Sequence, residues 1–178
     1  MEVSSQTTEN GTKRQYDYVM TSEGVMPNIV SIAYKPADIE SKPPDRFARV
    51  PVETVELVAE KGIAGDRKGT GRERHLNVMA RDTLDGLTAD GCKTAPGEMG
   101  EQIVVAGIDI DCLPAGTRLR FGSEAVIEVV NQRTGCERLE HIQKIAIRAT
   151  TGRLGVMCRV ERGGTIRVGD EVEVVRVE

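Results

Sequence analysis

Gly155-Val156-Met157-Cys158-Arg159-Val160-Glu161-Arg162-Gly163-Gly164-Thr165-Ile166-Arg167-Val168-Gly169-Asp170-Glu171-Val172-Glu173-Val174-Val175 is the stretch whose reading decides the fold. Val156, Cys158 and Val160 alternate with longer polar or flexible side chains, the period of a strand with one buried face. Residues 165–168 and 171–175 read as two further short strands. Gly163-Gly164 predicts a hairpin turn between the first two, and Gly169-Asp170 a tight connection to the third.

Working outward, the same kind of run recurs at residues 28–34, 55–58, 76–79, 102–105, 117–121 and 125–130. Helical spacing appears at residues 81–87, closed near Gly91, and again after Cys136, where Leu139, Ile142, Ile145 and Ala146 share one face. Many short strands at near-regular spacing, with a few short helices, predict a mainly β protein folded as an antiparallel or mixed β-barrel. Residues 28–178 form a single domain on this reading. Residues 1–27, polar and rich in Ser, Thr, Glu and Asn, read as a flexible tail in which Tyr16, Tyr18, Val19 and Met20 could dock as a short strand.

The chain has 178 residues, 3% aromatics and no Trp, so its core must be aliphatic. A net charge of -4 argues against a general binder of nucleic acid or of anionic membranes. No apolar run approaches the roughly 20 residues that span a bilayer. Met1-Glu2-Val3-Ser4-Ser5-Gln6 lacks the basic start and apolar stretch of a signal peptide, so the expected location is cytoplasmic. Cys92, Cys112, Cys136 and Cys158 form no Cys-x-x-Cys pair, and neither His75 nor His141 has a zinc-type spacing to them. Cys92, Cys112 and Cys158 read as structural.

Cys136 is different. A strand-like run ends at Val130, and Asn131-Gln132-Arg133-Thr134-Gly135-Cys136-Glu137-Arg138-Leu139 leads from it into a helix. Thr134 with Glu137 has the spacing of a capping box, which predicts a helix from Gly135 with Cys136 in its first turn. Free N–H groups there and the flanking Arg133 and Arg138 favour thiolate, while Glu137 opposes them. Such a thiolate suits a nucleophile, a persulfide carrier or a metal ligand. The other reading is a small buried residue in a strand-to-helix corner. Two glycine loops accompany it. Residues 62–71 carry Arg67, Lys68, Arg72 and Arg74 and read either as a solvated loop or as an anion site. Residues 96–101 carry Glu98 and Glu101, which an ion pair with a loop arginine would explain.

These blocks together look like a known family. Gly62-Ile63-x-Gly65-Asp66-Arg67, Pro96-Gly97-Glu98-Met99-Gly100-Glu101, Leu113-Pro114-x-Gly116-Thr117, Arg133-Thr134-x-Cys136, and Gly155-Val156 through Gly163-Gly164 to Val168-Gly169-Asp170-Glu171-Val172 resemble, in order, the MOSC domain. That module closes the molybdenum-cofactor sulfurases. The chain departs from the usual pattern at Lys68, where many members have His, at Gln102, where many have Asn, and at Gly135, often Pro.

The resemblance implies a β-barrel whose signature cysteine is Cys136. It implies that Asp66, Arg67, Gly97, Glu98, Gly100, Glu101 and Arg133 line one cofactor-binding cleft. Two activities come with it. In one, Cys136 carries sulfur as a persulfide from a pyridoxal-phosphate cysteine desulfurase to the molybdenum cofactor or another metal–sulfur centre. In the other, the chain binds the molybdenum cofactor with Cys136 as molybdenum ligand and reduces N-hydroxylated compounds, supplied by an electron-donor protein. Pyridoxal phosphate belongs to a partner in either case, since no lysine here has a recognisable setting for it. Partners are then a cysteine desulfurase or proteins of molybdenum-cofactor biosynthesis, and neither nucleic acid nor membrane. A non-catalytic adaptor barrel is the third reading, and it requires Cys136 to be buried.

Overall fold

A computed structural model describes residues 26–39, 42–67 and 75–175. The expectations for residues 1–25, and for Lys68, Arg72 and Arg74, lie outside the described residues.

Eleven strands and two α-helices are found among these residues. The first half contains β1 (Asn28–Tyr34), β2 (Val50–Val52), β3 (Thr54–Val58), β4 (Gly62–Ile63), β5 (Leu76–Ala80) and α1 (Arg81–Ala89). The second contains β6 (Ile103–Ala106), β7 (Arg118–Phe121), β8 (Ala125–Gln132), α2 (Glu137–Gln143), β9 (Val156–Arg162), β10 (Gly164–Arg167) and β11 (Val172–Val175). Single 3-10 turns occupy Ile110–Cys112 and Ile147–Thr150. Each strand expected from the sequence is present; β2 and β4 are too short to show a period.

One sheet has eight strands in the order β11-β7-β8-β9-β5-β6-β1-β2, and a second has three in the order β10-β3-β4. All pairs are antiparallel except β5 with β6, which α1 connects as a crossover. The protein is therefore mainly β with mixed pairing. The expected closed barrel is not found. β11, one end of the long sheet, approaches β1, one strand in from the other end, where Ile29 N–H donates to Asp170 O at 2.9 Å and Val172 N–H to Pro27 O at 2.8 Å. Only an isolated bridge, Asn28 with Glu171, joins them among the described residues, not a ladder.

The hairpin expected at Gly163-Gly164 is also corrected. β9 pairs with β8 and β5, whereas β10 leaves for the other sheet and pairs with β3. The reason is a close crossing. A Cβ on Gly163 would lie 2.4 Å from Leu57 O, so only glycine lets the chain pass directly against β3. The glycine pair marks a change of sheet.

The main core is aliphatic apart from Phe121, and Val156, Cys158 and Val160 lie in it as their alternation predicts. A second cluster under the helices gathers Met79, Leu84, Leu87, Met99, Val104 and Leu139. β5 separates the two. Leu76 and Val78 face the first cluster and Met79 the second, so Asn77, in phase with Met79, lies buried on the helix side. A fully buried polar side chain in such a strand must find hydrogen-bond partners. Its partners build the site. Among the described residues no helix is long and apolar enough to cross a membrane.

Candidate functional site

Cys136 is exposed. It is the N-cap of α2 rather than part of its first turn, with an extended backbone (φ -142°, ψ 161°). The expected capping box does not form. Arg133 N–H donates to Gly155 O at 2.9 Å, which prolongs the β8–β9 pairing past the end of β8 and keeps the chain extended. Gly135 then packs against Ile147, and the helix starts two residues late, at Glu137. The Cys136 carbonyl accepts the Glu140 N–H at 3.1 Å, while its side chain makes no cap bond and stays free at the surface. The adaptor reading required a buried Cys136, and that condition is not met.

Arg133 lies within electrostatic range of this sulfur. Its Nη1 donates to Asn77 Oδ1 at 2.9 Å. Burial pushes the guanidinium below the ordinary arginine pKa, opposed by the charges of Cys136 and Glu101. Arg133 also lines a cavity of about 260 Å³. Of its nine lining residues six carry positive charge: Lys35, Lys42, Arg49, Arg67, Arg133 and Arg138. Among the described residues no carboxylate lines it. The field is strong enough that Arg49, Arg67 and Arg138, after burial itself, hold the Lys35 ammonium below its usual pKa. Cys136 is not a lining residue; Arg133 connects the two.

The floor is a set of buried ionic and amide groups. Arg49 Nη1 lies 3.5 Å from Asp66 Oδ2, with both side chains almost fully buried (5% and 0% exposed). Arg49 Nε donates to Gly100 O at 3.1 Å, whereas Nη1 has only the long, poorly aligned contact with Asp66. Burial lowers the Arg49 pKa, and Asp66 and Glu101 oppose it. Glu101 folds back on its own loop, accepting Gly97 N–H at 2.5 Å and Met99 N–H at 3.1 Å. Burial raises its pKa; the Gly97 N–H, its own backbone N–H, Arg49 and Arg133 pull it down.

Gly100 closes the wall. Its φ of +83° is a backbone few side chains tolerate, and a Cβ there would lie 3.1 Å from Arg133 Nη2 and 3.3 Å from Phe47 Cδ1. Phe47 belongs to a segment gripped from α2: Arg138 Nη2 donates to Pro43 O at 2.6 Å and to Arg46 O at 2.8 Å, with its guanidinium over the Phe47 ring.

Seven residues were expected to line one cleft. Arg67, Gly100 and Arg133 line the cavity, and Asp66, Gly97 and Glu101 contact Arg49 or its loop just beneath. Glu98 does not join them. Its Oε2 accepts the Ala95 N–H at 2.9 Å within its own turn, and among the described residues it has no ion pair with a loop arginine. Arg67 turns its guanidinium to Ala37 O. Cys92 and Cys158 are buried as expected; Cys112 is exposed, against the structural reading. Among the described residues no cluster of three His, Cys, Asp or Glu side chains could hold a metal ion.

The sequence reading missed Arg49, Asn77 and Lys35. Arg49 stands in no motif, and its partner Asp66 is distant in the chain. Asn77 did carry a signal: a polar residue inside the apolar run Leu76-Asn77-Val78-Met79.

Comparisons with known proteins agree with this architecture. A family model described as MOSC domain matches residues 65–173. No curated protein sequence matches the chain. Among solved structures, the YuaD protein from Bacillus subtilis is similar with a TM-score of 0.68 and 20% identity, over 86% of this chain and 98% of that one. YiiM from Geobacillus stearothermophilus gives 0.64 and 22% identity, over 84% of this chain and 75% of that one. YiiM from Escherichia coli gives 0.63 and 20%, over 85% and 71%. At such identities the likeness is one of fold.

Proposed function

The chain belongs to the MOSC domain family, and from that premise we propose that it is a sulfur carrier that holds sulfur as a persulfide on Cys136. The observation that supports this reading is the exposed Cys136 at the N-cap of α2, whose side chain makes no cap bond. The attacking form of cysteine is the thiolate, which needs an accessible sulfur.

The step balances without an oxidant. The Cys136 thiolate attacks the outer sulfur of a donor persulfide, R–S–SH; the donor S–S bond breaks, a new one forms to Cys136, and R–S⁻ leaves. The sulfur carries its proton across, and no electron is gained or lost overall. The donor on this reading is a cysteine desulfurase with its own pyridoxal phosphate. The acceptor is the molybdenum cofactor or another metal–sulfur centre, in the cytoplasm. A closed barrel would be the fold of this family reading, with the isolated bridge between Asn28 and Glu171 as its closure.

The test is loading. The full chain is incubated with a cysteine desulfurase and cysteine, and Cys136 is followed by peptide mass. Wild type gains the mass of a sulfur atom at Cys136, and Cys136→Ala gains none. Equal sulfur uptake by Cys136→Ala would end the reading.

One observation favours a second reading, a reductase that holds the molybdenum cofactor. The cavity is lined by six cationic side chains and, among the described residues, by no carboxylate, and Arg49 Nη1 beneath it has only the 3.5 Å contact with Asp66. A phosphate-bearing group fits that donor set. Arg49, Arg67 and Arg133 would hold the phosphate, and Cys136 would be the one protein ligand to a metal that arrives already chelated. When bound, the cofactor would supply the redox chemistry that reduces N-hydroxylated compounds with electrons from a partner. Metal analysis of protein from a host that makes the cofactor separates the two: molybdenum near one per chain, lost in Cys136→Ser, supports the reductase, and its absence from both removes it.

A further inference from the structure

The two buried guanidiniums of the site are joined by a continuous chain of buried side chains. Arg49 Nη1 faces Asp66 Oδ2 at 3.5 Å. The same Asp66 oxygen accepts from Gln102 Nε2 at 3.2 Å, and Gln102 Oε1 accepts the Asn77 backbone N–H at 2.8 Å. Asn77 Oδ1 then accepts Arg133 Nη1 at 2.9 Å. Neither amide can turn over. Asn77 spends both N–H groups on the carbonyls of Leu154 and Val156, each at 3.1 Å, so only its oxygen is left for Arg133. Gln102 Nε2 also donates to His75 O at 3.0 Å, so only its oxygen can face Asn77.

We infer that Asn77 and Gln102 are positioning residues, which hold the Arg133 guanidinium in one place at the cavity wall, within electrostatic range of Cys136. This deepens the carrier reading and rests on it for the purpose of the held charge. The physical case is entropic and electrostatic. An arginine side chain is among the costliest to order, and a guanidinium free to swing toward water is screened. Asn77 is anchored on both sides by backbone, and it gives Arg133 a fixed acceptor. Its own register is set by Gln102, whose backbone N–H also returns to Asn77 O at 3.0 Å. Nothing in this chain of contacts touches Cys136, so the two amides act only through Arg133.

The test compares two alkylating reagents on Cys136 of the full chain at a single pH. Iodoacetate is an anion and iodoacetamide is neutral. Both consume the same thiolate, so the ratio of their rates cancels the thiolate fraction and reads the charge held at the sulfur. Arg133→Ala sets the scale, lowering the iodoacetate-to-iodoacetamide ratio by about twofold or more, the effect of one unit charge within about 8 Å in water. Asn77→Ala is expected to reproduce most of that fall although the Arg133 charge remains. The double variant is expected to fall no further than Arg133→Ala alone. A folded Asn77→Ala protein with the wild-type ratio overturns the inference. Where Asn77→Ala does not fold, Gln102→Asn, which keeps an amide but shortens it, carries the same test with the same two outcomes. Failure of sulfur loading would remove the carrier reading and leave this ratio untouched, because no sulfur donor takes part.

Discussion

The Arg49 guanidinium lies 3.5 Å from the Asp66 carboxylate, and water reaches neither side chain to any extent. Ion pairs this deep owe little to Coulomb attraction alone, because desolvation offsets it, but removal of one partner leaves a charge stranded. Asp66→Ala is therefore expected to cost about 3–5 kcal/mol in urea unfolding. Glu101, which also faces Arg49, places the value toward the lower end of that range. Replacing both partners by apolar residues should cost less than the sum of the single changes. A loss under about 1 kcal/mol for Asp66→Ala would mean that Arg49 finds another counter-charge.

Gly100 provides a test closer to the cavity. Alanine there combines a positive φ with contacts of 3.1 Å to Arg133 Nη2 and 3.3 Å to Phe47 Cδ1. A destabilisation of about 1–3 kcal/mol is expected from the backbone strain. Arg133 and the Phe47 segment must also give way, so persulfide loading of Cys136 should slow relative to wild type. The measurement is thermal unfolding together with loading followed by mass. A Gly100→Ala protein unchanged in both would show that the wall is looser than these contacts require.

Gln143 ties the helix that carries Cys136 to the loop that carries Glu98. Its Oε1 accepts Lys93 N–H at 2.8 Å, and its Nε2 donates to Lys93 O at 3.0 Å and to Glu98 O at 2.8 Å. The side chain is buried, so Gln143→Ala leaves backbone groups without partners, at about 1–3 kcal/mol for a stranded buried group. Amide hydrogen exchange should accelerate in α2 and in residues 93–98 and remain near wild type in β8 and β9. Uniform acceleration across the sheet would refute a local tie.

Much of this was legible in the sequence where the cause is local. The alternation of Val156, Cys158 and Val160 placed β9 and its buried face, and glycine punctuation separated the strands. Pairing was not legible. Gly163-Gly164 has the composition of a hairpin, but the next strand goes to β3, because what decides it is the clearance between Gly163 and Leu57 O, far apart in sequence. The start of α2 was misplaced for a similar reason: the Arg133 N–H is drawn to Gly155 O, a partner that no capping rule contains. Of the motif residues, Arg67, Gly100 and Arg133 come to line the cavity. The motifs did not find Arg49, whose meaning comes only from Asp66 across the fold. Nor did they show that Glu98 would turn away to cap Ala95.

The four cysteines give the most direct check on the placement of Cys136. In the folded protein iodoacetamide should modify Cys136 and Cys112 and spare Cys92 and Cys158, which are buried. Burial also raises the pKa of the Cys158 thiol strongly, and burial with the Asp90 charge raises that of Cys92, so little thiolate forms in the folded protein. Cys112 should be slow despite its exposure. A hydrogen bond with Asp109, then partial burial and the nearby charges of Asp109 and Asp111, raise its pKa. Since the thiolate is the reacting form, less of it is present at neutral pH, and the rate should climb as pH rises through the thiol range. Asp109→Asn removes the charge and should speed Cys112 at neutral pH without altering Cys136. The readout is peptide mass against time at several pH values. Labelling of Cys158 at the rate of Cys136 would contradict the core around β9, and a Cys136 that resists the reagent until the protein unfolds would contradict the surface position on which the carrier reading depends.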